Sequence, residues 1–158
     1  MNNNQIIIII IFSMSLALIR FYLLDDPEFT LIKKERIVKE ISDFNVPEVM
    51  TEPMAINLDF AKYLFDNDLA VFIDARDVED FDAGHIQGAI NIPYDYYEDY
   101  EEKINNLEVN KTYIIYCNGE DCSLSMDLAD YFFNELLFEK VLIFEAGWPV
   151  WRDLKLPS

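Results

Sequence analysis

The stretch Tyr113-Ile114-Ile115-Tyr116-Cys117-Asn118-Gly119-Glu120-Asp121-Cys122-Ser123 decides the fold: an apolar run that ends in a thiol and a short polar loop. Tyr, Ile, Ile and Tyr make a β-branched and aromatic segment of strand length, and Asn118-Gly119 stops it. From Ser123 onward Leu124, Leu128, Phe132 and Leu136 recur every four positions, widened by Ala129, Phe133 and Leu137, which predicts a helix with one buried face. Cys117 therefore stands where a strand hands over to a helix N-terminus. Free backbone N–H groups at such a point favour an anion, either a thiolate or a bound oxyanion. A buried structural cysteine that ends a strand fits the same loop. The reactive reading requires a sulfur cupped by main-chain amides and open to solvent.

Working outward, Ala70-Val71-Phe72-Ile73-Asp74 and Lys140-Val141-Leu142-Ile143-Phe144 are further strands. Their continuous hydrophobicity, without alternation, predicts burial on both faces, as in a parallel sheet covered by helices. Asn57 to Phe65 and Val78 to Ala83 read as helices, and Ala89-Ile90-Asn91-Ile92-Pro93 as a short strand after a turn. The acidic stretch Asp95 to Glu102 reads as an exposed helix start rather than a carboxylate metal site. Strands alternating with helices imply βαβ units and a mostly parallel sheet. Ligands of such sheets sit beyond the C-terminal strand ends, where Cys117 lies.

Composition narrows the function. The 158 residues hold 12 Lys+Arg against 30 Asp+Glu, a formal charge of -18, with no basic stripe. Phosphate binding needs clustered cations, so nucleic acid is not an expected partner. Two cysteines are too few for a disulfide-stapled scaffold.

The N-terminus reads differently. Ile6 to Leu24 is almost wholly apolar, with six consecutive isoleucines and one charge, Arg20. A helix of that length reaches about 28 Å, close to the hydrocarbon thickness of a bilayer, and the chain is read as single-pass membrane-anchored through residues 1–24. A cleaved secretory signal is the alternative, with Ser15-Leu16-Ala17 as a small-x-small site, although no Lys or Arg precedes the run. Arg20, Lys33, Lys34, Arg36 and Lys39 follow it, which places the C-terminal domain in the cytoplasm by the positive-inside rule; an extracytoplasmic domain stays open. Residues 25–53 read as a connecting segment with a short helix, and residues 54–158 as the globular domain.

Four motifs in order carry a resemblance: Val71-Phe72-Ile73-Asp74-Ala75-Arg76 with Phe81; Gly84-His85-Ile86-Gln87-Gly88-Ala89-Ile90-Asn91-Ile92-Pro93; Tyr116-Cys117 with its loop; and Glu145-Ala146-Gly147-Trp148 with Trp151. Together they resemble the rhodanese-like (sulfurtransferase) domain over roughly Asn57 to Leu154. The resemblance implies an α/β fold, a five-stranded mostly parallel sheet flanked by helices, with Cys117 carrying sulfane sulfur as a persulfide. It implies a sulfur donor and a thiol acceptor as partners and no cofactor. The active-site loop would be Asn118, Gly119, Glu120, Asp121, Cys122 and Ser123, supported by Asp74 and Arg76, while His85 would be chiefly structural.

The loop departs from the family's pattern. Many active members carry Arg or Lys there, whereas Glu120 and Asp121 occupy it here and Cys122 stands where a basic residue is common. A carboxylate ~7 Å from the sulfur opposes the thiolate by roughly 1 kcal/mol at an effective dielectric of about 40. Weak activity toward thiosulfate is therefore expected. Cys122 could instead attack a persulfide or sulfenic acid on Cys117 and leave an intraloop disulfide, which would make the domain a thiol redox module. A non-catalytic, membrane-held binding module is the other alternative. A phosphatase is excluded, because the position six residues after Cys117 is Ser123 rather than the Arg such enzymes need. Cys117, Cys122 and His85 are a poor zinc set.

Overall fold

A computed structural model describes residues 2–23, 40–41, 44–119 and 123–158. The chain divides into two compact units, Met1–Ile37 and Val38–Ser158. The first contains helix α1 (Asn3–Leu23). Its described side chains run to Leu16, with Ile7, Ile8, Ile10, Ile11, Phe12 and Met14 exposed. Among the described residues no helix is long and apolar enough to cross a membrane. The expected span is thus not supported among the described residues.

The second unit is a parallel α/β domain. Its strands are β1 (Glu40–Ile41), β2 (Met54–Ile56), β3 (Val71–Asp74), β4 (Ile90–Asn91), β5 (Thr112–Tyr116) and β6 (Lys140–Phe144). They lie in the order β1-β2-β6-β5-β3-β4, and every pair is parallel. The strands read from the sequence are β3 to β6, and β2 supplies the fifth that the resemblance implied without placing it. The two-residue β1 is additional, and it falls inside residues 25–53, which read as a tether with a short helix. The rest of that helix reading lies outside the described residues, at 24–39 and 42–43. Phe44 packs on Phe60 at 5.3 Å and Met50 is buried, so the globular unit recruits apolar residues ahead of Met54. Both edge strands are two residues long, which limits the unpaired backbone offered to other chains.

Two cores cover the sheet. On one face α2 (Leu58–Asp66) and α6 (Gly147–Asp153) bury Phe60, Leu64, Trp148 and Trp151 against Phe72, Ile114, Leu142 and Phe144. The Asn57 side chain caps α2 by accepting from the Phe60 N–H at 3.0 Å. On the other face α4 (Glu101–Asn105), α5 (Leu124–Asp130) and the turn that follows α5 bury Ile104, Leu128 and Phe132 against Ile73, Ile115, Val141 and Ile143. The remaining helix, α3 (Val78–Ala83), follows β3, and the acidic stretch forms a 3-10 turn over Tyr94–Tyr100 before α4. Neighbouring residues of β5 face opposite cores, as a pleated strand requires, which explains its unbroken hydrophobicity.

One helix prediction fails in detail. After α5 the chain runs through a π-helical turn, Tyr131–Glu135, which adds a residue to the turn and rotates the residues after it. Leu137, expected on the buried stripe, is 72% exposed with φ 58°, and Phe138 is buried instead. Phe138→Ala should therefore lower stability by about 3 kcal/mol, whereas Leu137→Ala should change it by less than about 0.5 kcal/mol. Urea unfolding of the two variants checks the register.

Candidate active site

Parity places the cysteine. Tyr113, Ile115 and Cys117 face α5, while Ile114 and Tyr116 face α2 and α6. Cys117 is 1% exposed, so the expectation of a solvent-open sulfur is not met. Its sulfur is disulfide-bonded in a chain with two cysteines and lies 3.3 Å from the Ser125 hydroxyl. Glu120, Asp121 and Cys122 lie outside the described residues, and with them most of the expected amide cradle. Asn118 is exposed, Gly119 is half-buried with φ 108°, and Ser123 is half-buried just before α5.

The main chain of Cys117 is held from β6–α6. The Trp148 N–H donates to the Cys117 carbonyl at 2.9 Å. This approach needs Gly147, whose φ is 61°: a Cβ there would overlap the Cys117 carbonyl oxygen and lie 2.8 Å from the Gly119 nitrogen. The motif Glu145-Ala146-Gly147-Trp148 thus acts as a clamp on the cysteine loop.

Asp74 and Arg76 form a buried fork at the end of β3. Arg76 Nη2 and Nε donate to Asp74 at 2.6 and 2.9 Å, with the two residues 3% and 0% exposed. Burial works hardest against the Arg76 charge, yet the Asp74 hydrogen bond and charge outweigh it and raise its pKa. The same guanidinium donates to the Gly84 carbonyl at 2.8 Å and stacks 5.4 Å from the Trp148 ring. Nη1 reaches Asn118 Oδ1 at 3.5 Å, and Asn118 Nδ2 donates to Asp80 at 2.8 Å, so the first loop residue is tied to α3. The Tyr116 hydroxyl accepts from the Ile86 N–H at 3.1 Å and bonds Asp74. Burial first, then the Asp74 charge, push its pKa far above the ordinary value and keep it protonated.

His85 takes no part in this network. Its ring stacks on Phe81 at 3.7 Å, and Nδ1–H donates to the Phe81 carbonyl. Among the described residues no group of three His, Cys, Asp or Glu could hold a metal ion. Ser125 is the residue that sequence reasoning missed. Its signal was helical spacing, since 125, 128, 129 and 132 form the buried stripe.

Fold and site define a parallel α/β domain organised around one loop cysteine at the end of its central strand. The family of rhodanese-like domains is matched over residues 57–154, and the chain belongs to it. No curated protein matches the chain at a significant level. Among solved structures it is similar to the BH2092 protein of Bacillus halodurans, with 23% identity and a TM-score of 0.56 over 67% of this chain and 74% of that one. It is also similar to the rhodanese-like domain of Anabaena Alr3790, with 21% identity and a TM-score of 0.53 over 68% and 78%. A thiosulfate sulfurtransferase of Pseudomonas aeruginosa shares the fold at 19% identity and a TM-score of 0.55; the similarity spans 66% of this chain and 19% of that one.

Gly147→Ala should lower stability by about 3 kcal/mol through backbone overlap at a left-handed φ. Denaturant midpoints, compared with a conservative change at exposed Val150, measure it.

Proposed function

We propose that the domain is a rhodanese-type sulfur carrier in which reduced Cys117 takes up sulfane sulfur as a persulfide and the disulfide is its discharged form. Cys122 is the resolving thiol of that cycle. Its thiolate attacks Cys117 Sγ, the bond from Sγ to the sulfane sulfur breaks, and hydrosulfide leaves as the Cys117–Cys122 disulfide forms. A thiol reductant then restores both cysteines. The observation that carries this reading is the disulfide-bonded Cys117 at the C-terminal end of the central strand, within the family match; its burial in this form departs from the open sulfur the reading called for, so uptake is assigned to the reduced form alone. Glu120 and Asp121 repel anionic donors, so thiosulfate is a poor substrate and a neutral or protein-bound persulfide a better one.

Full-length protein, reduced and then given polysulfide, should gain the mass of one sulfur atom on Cys117, while protein kept in the disulfide form should gain none. Cys122→Ser should hold the adduct longer, because the internal attack is lost. Absence of the adduct from the reduced protein and from Cys122→Ser overturns the carrier reading in favour of a binding module. Cyanide-coupled thiosulfate turnover at rates typical of active sulfurtransferases overturns the donor assignment.

We further propose that residues 6–24 hold the chain at a bilayer with the domain on the cytoplasmic side. The support is the sequence of this segment, with Arg20 its single charge. The full-length chain should float with vesicles through a carbonate wash and lose that property when residues 1–24 are removed. Release by carbonate overturns the anchor, and protection of the domain from protease in sealed inverted vesicles overturns its orientation.

A further inference from the structure

Ser125 occupies a position that the packing reserves for an apolar side chain. It lies on the α5 stripe with Leu128, Ala129 and Phe132, all buried between the helix and the sheet. It is itself 1% exposed, and its hydroxyl lies 3.3 Å from Cys117 Sγ. A hydroxyl taken out of water is costly unless it finds a partner, and a disulfide sulfur is a weak acceptor. The same contact strengthens greatly when the sulfur carries a negative charge. The β5 parity that turns Cys117 toward α5 also removes its sulfur from solvent, and burial in apolar surroundings opposes thiolate formation. Ile115, Leu128 and Phe132 of the surrounding core offer no compensating donor from their side chains.

We propose that Ser125 is a catalytic residue of this site: its hydroxyl donates a hydrogen bond to the Cys117 sulfur and stabilises the thiolate and the persulfide anion. The inference rests on Cys117 being the reactive sulfur. It assigns the loop's activation to a side chain inside α5, beyond the six-residue loop. The donor approaches the sulfur from the protein interior.

The test is the apparent thiol pKa of Cys117 in the reduced full-length chain, held in detergent and carrying Cys122→Ser so that one thiol titrates. Thiolate absorbance and the pH profile of alkylation by iodoacetamide both read it. Ser125→Ala should raise the pKa by about one to two units and slow alkylation at neutral pH about tenfold or more. Ser125→Thr and Ser125→Val have nearly the same shape, so they share any packing strain. Thr should leave the pKa of the Ser125 protein unchanged and Val should raise it. An unchanged pKa in Ser125→Ala overturns the proposal, as does an equal shift in the Thr and Val variants. A sulfur adduct that forms on Cys117 with a pKa indifferent to Ser125 sinks this inference alone. A Ser125-dependent pKa with no adduct sinks the carrier reading alone.

Discussion

Two opposite charges buried side by side hold this domain's working end together. Asp74 and Arg76 are almost wholly removed from water, and burial of that kind is tolerable only when every lone pair and N–H is engaged. The engagement draws in four segments of the chain. Asp74 binds Arg76 and the Tyr116 hydroxyl; Arg76 reaches the Gly84 carbonyl, Asn118 and the Trp148 ring. The Asn91 amide donates to the Arg76 carbonyl at 2.8 Å and to that of Asp74 at 3.2 Å, so β4 is fastened to the same point. The four motifs that mark the family in sequence are the four segments that meet at this knot.

The knot and the cysteine sit on opposite sides of one strand. Tyr116 turns its hydroxyl toward Asp74, and the next residue turns its sulfur toward α5. Neighbouring side chains of a strand cannot share a face, so fixing Tyr116 fixes Cys117 as well. A main-chain hydrogen bond from Trp148 completes the restraint without using any side chain of the loop. Loop composition can therefore change, even to carboxylates, while the position of the cysteine stays where the sheet puts it.

Much of this architecture is legible in the sequence. Strands at residues 71–74 and 140–144, the helix at 78–83 and the handover at Cys117 follow from hydrophobic runs bounded by turn residues, and the structure places them there. The features that escape sequence reading depend on tertiary context. A two-residue strand such as Glu40–Ile41 has no periodicity to read and exists only because β2 supplies its partner. A π-helical turn leaves no mark in an apolar repeat, so Leu137 and Phe138 exchange roles. Sequence places the cysteine at a strand end but not on a face, because a run apolar throughout gives no phase; its burial and its neighbour Ser125 are lost together.

Strand order has a bearing on how the chain comes off the ribosome. β6 inserts between β2 and β5, so β2, which already has β1 beside it, joins the rest of the sheet only when Leu142 and Ile143 have been synthesised. Until then the earlier βα units carry an open, strongly hydrophobic sheet edge, and no local contact can close it. Assembly is consequently late and nearly all at once, and a truncated or stalled product ending before β6 would be a client for chaperones rather than a partly working domain.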